Sequence, residues 1–299
     1  MRVSIIGSNG LLSTAFGKYC NSHKYPLTVY GLEEPCDIAF EKFIQVNLLK
    51  DSINYEELAL SDLIIYAAGG GIQSNLNEAN EIIYELNTFV PIKLCIGLNN
   101  IHYKGVFVTF GSYFEIGESI EDIAYTEDMI LKSTNSAPNT YTVTKRILSR
   151  FITSAKFSYT TWHFILPTIY GEKENPKRLI PYILRAIREK EELCLTSGEQ
   201  VRQYIYINEV VKIIDLAYQK QLTSGMYNIA GNEELSVKEL VSMLFKYYGA
   251  SLNTEVFGKA KRQDTGMKIL KLDGTALTSF LGYRTNLRIT DVIKEYETK

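Results

Sequence analysis

Short apolar runs alternate with helical stretches through the first half of the chain. Continuous apolar runs of this kind are typical of strands buried on both faces of a sheet. They predict strands at 3–6, 27–30, 63–68 and 106–110. Apolar positions at helical spacing predict helices at 11–20, 79–96 and 141–155. Because such alternation requires crossover connections, the pattern predicts an α/β fold, a doubly wound parallel sheet that binds ligands at the carboxyl ends of its strands.

The second half is less regular and indicates a smaller lobe. Strands are predicted at 161–166, 201–207, 226–229 and 252–257, and helices at 180–190, 209–219 and 237–248. We expect residues 1–166 to form a dinucleotide-binding Rossmann domain and residues 167–299 to form the substrate-binding lobe. Residues 204–217 are expected to return to the first domain. No low-complexity linker separates the halves, so they should pack together.

Composition narrows the functional class. The chain has 299 residues, 45% of them hydrophobic and 22% charged, which is typical of globular proteins. A formal net charge of −2 argues against a nucleic-acid partner. No apolar run is long enough to cross a bilayer, so no membrane association and a cytoplasmic location are predicted. The four Cys and three His are scattered, which predicts neither a disulfide framework nor a metal site.

A glycine turn, Gly7-Ser-Asn-Gly10, follows the first strand. Gly7 allows a tight turn, and Gly10 allows backbone amides to approach a pyrophosphate at a helix N-terminus. The usual third glycine is replaced by Ser13. A plain strand-to-helix turn is the alternative, but the strand before and the helix after favour a dinucleotide cofactor.

The end of the second strand bears on the choice between NAD and NADP. An acidic residue there usually binds the ribose 2′-hydroxyl of NAD, whereas this chain has Gly31. Gly31 leaves room for a 2′-phosphate, yet no Arg follows, and Glu33 and Glu34 would repel the phosphate. Both cofactors stay open, with a slight preference for NADP.

A serine, a tyrosine and a lysine are candidates for the catalytic groups. Ser112 lies just past the strand at 106–110, where a hydroxyl can hold a substrate carbonyl oxygen; Thr109 is the reserve candidate. Tyr141 and Lys145 are four residues apart and therefore share a helix face. The ammonium of Lys145 is expected to lower the pKa of the Tyr141 phenol. A Tyr-x-x-x-Lys pair means little alone in a chain with 21 Tyr, so the inference depends on the order turn, serine, tyrosine-lysine.

Together with further motifs, these residues give a specific resemblance. The motifs are Asn47-Leu48, Tyr66-Ala67-Ala68, Asn87, Ile169-Tyr170-Gly171, the segment 198–207 containing Arg202, Tyr227-Asn228-Ile229-Ala230-Gly231 and Arg262-x-Asp264. Over nearly its whole length the chain resembles the extended short-chain dehydrogenases/reductases that modify nucleotide sugars, the NAD-dependent epimerase/dehydratase family.

The resemblance implies roles for individual residues. In addition to Tyr141 and Lys145, the implied cofactor-binding residues are Gly7, Asn9, Gly10, Leu11, Leu12, Asn47, Leu48, Ala67, Ala68, Gly69, Asn87 and Ile169. The implied substrate-binding residues are Tyr113, Thr168, Leu179, Arg202 and Arg262, the two arginines being candidates for binding the diphosphate. The implied partner is a nucleoside-diphosphate sugar, and members of the family commonly form homodimers through two helices.

Departures from the family pattern reduce the number of reactions that the sequence supports. Relatives that eliminate water carry Asp-Glu directly after the active-site hydroxyl, whereas this chain has Tyr113-Phe114 and then Glu115. Dehydration is therefore disfavoured. The segments 112–114, 179–183 and 196–200 look most like 4-ketoreductases of deoxysugar pathways. The preferred reading is reduction of a 4-keto sugar. A nucleotide-sugar 4-epimerase is the alternative, and a non-catalytic dinucleotide sensor is a third reading.

Overall fold

The larger of two sheets carries the predicted parallel strands. A computed structural model describes residues 1–71, 78–261 and 267–297. Seven parallel strands form the large sheet in the order β3-β2-β1-β4-β5-β6-β9. They are β1 (Val3–Ile6), β2 (Leu27–Gly31), β3 (Lys42–Gln45), β4 (Leu63–Tyr66), β5 (Val106–Ser112), β6 (Thr160–Leu166) and β9 (Gly225–Asn228). The predicted doubly wound α/β sheet is confirmed.

Four further strands of the described residues form a second sheet. They are β7 (Thr168–Tyr170), β8 (Val201–Tyr206), β10 (Glu233–Ser236) and β11 (Ile269–Leu270). β8 pairs antiparallel with β10 along one edge and parallel with β11 and β7 along the other. Because β7 follows β6 after one residue, the second sheet begins beside the carboxyl end of β6.

Helices cover the large sheet on both faces. The α-helices of the described residues are α1 (Leu11–Ser22), α2 (Tyr55–Leu58), α3 (Asn80–Tyr84), α4 (Val90–Asn100), α5 (Glu127–Lys132), α6 (Thr140–Ser154), α7 (Leu179–Glu189), α8 (Ile207–Gln219), α9 (Val237–Tyr247), α10 (Thr275–Leu281) and α11 (Ile289–Val292), and not all of them contact the large sheet. One apolar core lies between the sheet and α1, α7, α8 and α9, and a second lies between the sheet and α4 and α6. A third, smaller core lies around Tyr113, Ile165 and Met267.

Two sequence expectations fail for identifiable reasons. The strand predicted at 252–257 is wrong: Thr254–Val256 form a 3-10 turn, which begins where the Asn253 side chain accepts a hydrogen bond from Glu255 N at 3.0 Å. The single helix predicted at 79–96 is divided, because a π-helical turn, Glu85–Phe89, separates α3 from α4. Pro91 lies in the first turn of α4. Since proline lacks an N–H and crowds the preceding turn, a regular α-helix through this position is disfavoured.

The division of the chain at residue 166 stays a prediction, and the structure shows how the second half meets the first. Residues 204–206 belong to β8 in the second sheet. α8 then packs against α1, where Tyr19 donates a hydrogen bond to Asp215 at 3.0 Å. β9 completes the edge of the large sheet beside β6.

The described residues contain neither a membrane-spanning helix nor a metal-binding group of side chains. Across 1–71, 78–261 and 267–297, no helix has the length and apolarity needed to span a membrane. Within those ranges, His, Cys, Asp and Glu side chains form no group of three suited to a metal ion.

Candidate active site

The turn after β1 has the geometry needed at a phosphate-binding helix N-terminus. Gly7 adopts φ +109°, and a Cβ there would lie 2.8 Å from Ala68 N, so only glycine fits. Gly10 begins α1, which has no side-chain cap and no acidic residue in its first turn. Leu11 and Leu12 follow in that turn, and Asn9 is exposed beside it. Free N–H groups and the helix dipole favour an anion here, so the turn fits a dinucleotide pyrophosphate.

Neighbouring strand ends supply the other positions implied for the cofactor. A side chain at Gly31 would collide with the side chain of Ser8, which explains the missing acid. Asn47 and Leu48 follow β3 and are half-buried. Asn47 Oδ1 accepts from Leu49 N at 3.0 Å, so its amide NH₂ is the group left for a ligand. Ala67, Ala68 and Gly69 continue from β4, and Ile169 lies in β7.

Asn87 connects this loop to α6. It lies in the π-helical turn and is 1% exposed. Its side chain accepts from Gly70 N at 3.0 Å and donates to Gly70 O at 3.0 Å and to Thr144 Oγ1 at 3.1 Å. Extra backbone width at a π turn re-aims the side chain it carries. Asn87 therefore fixes the loop after β4 against the segment that carries Tyr141 and Lys145.

Ser112, Tyr141 and Lys145 meet beyond the carboxyl end of β5. Asn139 caps α6 by accepting from Thr142 N at 2.9 Å, which sets the start of the helix one residue before Tyr141. The Ser112 hydroxyl is close enough to the Tyr141 phenol to lower its pKa. Lys145 Nζ lies 5.7 Å from the Tyr141 ring centroid and donates to Phe110 O at 2.8 Å. The three residues that the sequence placed together are therefore neighbours, although their roles stay predictions.

The pKa of Tyr141 differs from expectation. The sequence predicted that Lys145 would bring this pKa towards neutrality. Instead, burial raises the pKa of Tyr141 to about 12, which outweighs the opposing effect of Ser112. Burial also lowers the pKa of Lys145 to about 8, against the attraction of Glu115. At neutral pH the phenol therefore holds its proton, as a general acid requires.

Predicted substrate-binding residues surround the other side of the cleft. The Tyr113 hydroxyl is within 2.5 Å of Thr168 Oγ1, so these two positions meet. Arg202 is 9% exposed, donates to Val201 O at 2.7 Å, and is close enough to lower the pKa of Tyr113 against the stronger effect of burial. Leu179 is the first residue of α7. Arg262 lies outside the described residues.

The sequence missed one charged group on this side. Arg178 precedes α7 and pairs with the buried carboxylate of Glu174 at 3.0 Å. Its charge also acts on the phenols of Tyr141 and Tyr113, so it lies near both. An arginine two residues before the predicted helix at 180–190 was the available signal. Two guanidinium groups thus border the cleft, a charge distribution suited to a diphosphate.

Comparison with known proteins identifies the family. A model described as the NAD dependent epimerase/dehydratase family matches residues 3–230. A CDP-abequose synthase of Yersinia pseudotuberculosis is 24% identical over 249 residues, which are 79% of this chain and 78% of that protein.

Solved structures show the same fold. The complex of MoeE5 with UDP-glucuronic acid and NAD matches with a TM-score of 0.82 at 18% identity, covering 99% of this chain and 97% of that one. A Thermus thermophilus UDP-glucose 4-epimerase in complex with NAD matches with a TM-score of 0.82 at 14% identity, covering 100% of this chain and 99% of that one. Similarity at these identities concerns the architecture alone.

Proposed function

Because the chain belongs to the NAD dependent epimerase/dehydratase family, we propose that it reduces the 4-keto group of a nucleoside-diphosphate deoxysugar. Membership makes the protein an enzyme that uses a nicotinamide dinucleotide, which agrees with the sequence prediction. The finer assignment is supported by one observation: Ser112, Tyr141 and Lys145 lie together at the carboxyl end of β5, where a ketone oxygen and a hydride donor can meet.

The residues divide the chemistry between them. The dinucleotide, when bound, supplies the hydride. Ser112 would donate a hydrogen bond to the ketone oxygen and hold it beside Tyr141. Tyr141 would transfer its proton to that oxygen as negative charge develops, which gives the secondary alcohol. Lys145, still cationic below a pKa of about 8, would stabilise the phenolate left behind.

The 4-epimerase alternative uses the same three residues in another order. An epimerase first removes a proton from the sugar hydroxyl, which requires a phenolate at the start. Burial raises the pKa of Tyr141 to about 12, which suits proton donation in the reductive step of either reaction, so retention of the cofactor is what separates the two. Dehydration needs a further acid at the cleft. Glu115 does not offer one, since its Oε1 accepts a hydrogen bond from Ser112 N and its Oε2 accepts one from Ser149 Oγ.

Nucleotide recognition is proposed for the two arginines. Arg202 forms no ion pair with a carboxylate among the described residues, so its charge is available for a diphosphate. The similarity to a protein named CDP-abequose synthase makes a CDP-linked 4-keto sugar the first substrate to test. We propose NAD(H) as cofactor on the basis of the family, in preference to the NADP that Gly31 slightly favoured.

Cofactor content and turnover together test the proposal. Freshly purified protein is denatured and the released dinucleotide is identified and quantified. A ketoreductase must exchange its cofactor each turnover, so we expect a largely empty site that binds NADH or NADPH reversibly. Near-stoichiometric NAD would support the epimerase, because that cycle regenerates its cofactor.

Turnover is then followed by oxidation of NADH and of NADPH with CDP-, dTDP-, UDP- and GDP-linked 4-keto-6-deoxy sugars. Tyr141→Phe should lower kcat by roughly 10²–10⁴-fold, the usual contribution of general acid catalysis. Tyr247→Phe, on the exposed side of α9, is the matched control and should leave kcat unchanged. Full activity of Tyr141→Phe would refute the assignment. Dinucleotide binding without turnover of any sugar nucleotide would favour the sensor.

The proposed assembly is a homodimer through α4 and α6. Phe89, Ile96 and Ile147 are 47%, 48% and 39% exposed on or beside these two helices. Apolar groups on adjacent helices are costly in water and are typical of a subunit interface. The cytoplasmic location stays a prediction.

A further inference from the structure

A chain of buried polar side chains lies behind the proposed catalytic residues and is not used in the proposed chemistry. Glu115 Oε2 is 2.5 Å from Ser149 Oγ, which is 2.8 Å from His163 Nε2. His163 Nδ1 is 2.7 Å from Thr109 Oγ1. All four side chains are at most 1% exposed, although they come from four different elements.

The Glu115 end of this hydrogen-bonded series of side chains lies directly beneath the proposed site. Glu115 Oε1 accepts from Ser112 N at 2.8 Å. A Cβ at residue 111 would lie 2.5 Å from the same oxygen and 2.7 Å from His163 Nε2, so the glycine of the Gly111-Ser112 pair makes room for the carboxyl group. Ser149 lies one helical turn beyond Lys145 on α6. Glu115 thus contacts the strand end that carries Ser112 and faces the helix that carries Lys145.

Hydrogen counting on Ser149 allows only two arrangements. Ser149 Oγ has one hydrogen and two partners, so it donates to one of them and accepts from the other. In the first arrangement Ser149 donates to a Glu115 carboxylate and accepts from His163 Nε2–H. In the second it donates to His163 Nε2, Glu115 must be protonated, and His163 carries its proton on Nδ1. A Glu115 carboxylate therefore requires the Nε2–H tautomer of His163, whereas the Nδ1–H tautomer shows that Glu115 is protonated.

Burial and neighbouring charges determine which of the two arrangements Glu115 adopts. Burial raises the pKa of the Glu115 carboxyl, against hydrogen bonds from Ser149 and Ser112 N and the charges of Lys145 and Arg146. The neighbouring His163 is neutral, because burial and then Lys145 lower its pKa to about 3. Tyr141 also feels the negative charge of Glu115, which adds to the effect of burial on its pKa.

We infer that Glu115 is a positioning residue for this site: as a carboxylate it holds the Ser112 backbone and supplies the negative charge opposite Lys145. Lys145 Nζ binds Phe110 O and Glu115 binds Ser112 N, two residues along β5. The Lys145 ammonium lowers the pKa of Glu115, and the Glu115 carboxylate raises the pKa of Lys145, so the two charges act on each other. Opposite charges several ångströms apart inside a protein change each other's pKa by about one to two units.

The first experiment reads the tautomer and is independent of turnover. The ¹⁵N resonances of histidine distinguish Nε2–H from Nδ1–H, and the exposed His23 and His102 serve as internal references. We expect the Nε2–H tautomer for His163 in the wild-type protein at neutral pH. An Nδ1–H tautomer would mean a protonated Glu115 and would overturn the inference. This result does not depend on the proposed 4-keto reduction.

The second experiment rests on the proposed function and separates a charge effect from a structural one. In Glu115→Gln, the amide can still accept from Ser112 N and donate to Ser149, so the fold should be kept. Loss of the carboxylate lowers the pKa of both Lys145 and Tyr141. The alkaline limb of kcat/KM should therefore move about one to two pH units lower.

Glu209→Gln is the matched control. Glu209 is a buried carboxyl on α8, bonded to Tyr283, and its loss should leave the pH profile in place. A Glu115→Gln enzyme with reduced kcat but an unmoved alkaline limb would assign Glu115 a structural role only. Failure to find any turnover substrate would count against the proposed function and leave the tautomer result to decide the inference.

Discussion

Asn87 is the residue whose replacement should disturb the site most strongly without touching the reacting atoms. Asn87→Ala removes three hydrogen bonds and leaves the N–H and C=O of the buried Gly70 without partners. Thr144 Oγ1 keeps its own bond to Tyr141 O, so it is not orphaned. Each unsatisfied buried group costs about 1–3 kcal/mol, so the free energy of unfolding should fall by about 2–6 kcal/mol.

That cost can be measured as a melting temperature. The entropy of unfolding is about 2.1 cal/mol/K per residue, so a 3 kcal/mol loss lowers Tm by about 5 °C in a chain of 299 residues. Differential scanning calorimetry of Asn87→Ala should show this decrease. Asn100→Ala, at the exposed end of α4, should stay within about 1 °C of the wild-type protein.

Activity provides a second readout of the same variant. Thr144 lies between Tyr141 and Lys145, so loss of its contact with Asn87 should shift both and lower kcat. Equal Tm values for Asn87→Ala and Asn100→Ala would refute the reasoning, since they would show that Gly70 finds other partners at no cost.

Two further predictions concern acid stability and assembly. Burial gives His163 a folded pKa of about 3, against 6.5 in the unfolded chain. As the pH falls through 6.5, only the unfolded chain therefore gains this proton. His163 should account for about 2 kcal/mol of the stability lost between pH 7 and pH 5. Urea titrations at both pH values should show that His163→Gln abolishes this share and that the exposed His102→Gln does not; equal losses would contradict it. Ile96→Glu should convert a dimer to a monomer in sedimentation velocity, whereas Ile120→Glu, at an 81% exposed position, should not; a wild-type monomer would contradict the proposed interface.

The large sheet could be predicted because its strands bury both faces. Continuous apolar sequences such as Leu63–Tyr66 leave no solvent face and cannot be surface strands. The strands of the second sheet gave weaker signals. β10 and β11 are short and half-exposed, and they depend on β8 for their pairing. The pattern at 252–257 alternated like a strand, yet the local hydrogen bond of Asn253 competes with strand pairing.

The proposed catalytic residues could be found because their spacing is local or follows the order of the fold. Tyr141 and Lys145 share one helix face, and Ser112 ends a strand whose carboxyl end must face the cleft. The pKa of Tyr141 could not be predicted in the same way. It depends on how α6 packs against β5, where burial raises the pKa and Ser112, rather than Lys145, is the main group that lowers it.

The buried series of polar side chains behind the site could not be predicted from the sequence, although the proposed reacting groups could. Ser149 continues the spacing of Tyr141 and Lys145 by one more turn, so a polar residue facing β5 could have been noticed. The spacing on α6 does not indicate His163, because Ser149 reaches it only where α6 packs against β6, and the pairing of β5 with β6 then places Thr109 beside His163. A buried carboxylate is costly unless several donors surround it. Glu115 has such donors from two elements, so its retention under Ser112 argues for a role in the charge of the site rather than in packing alone.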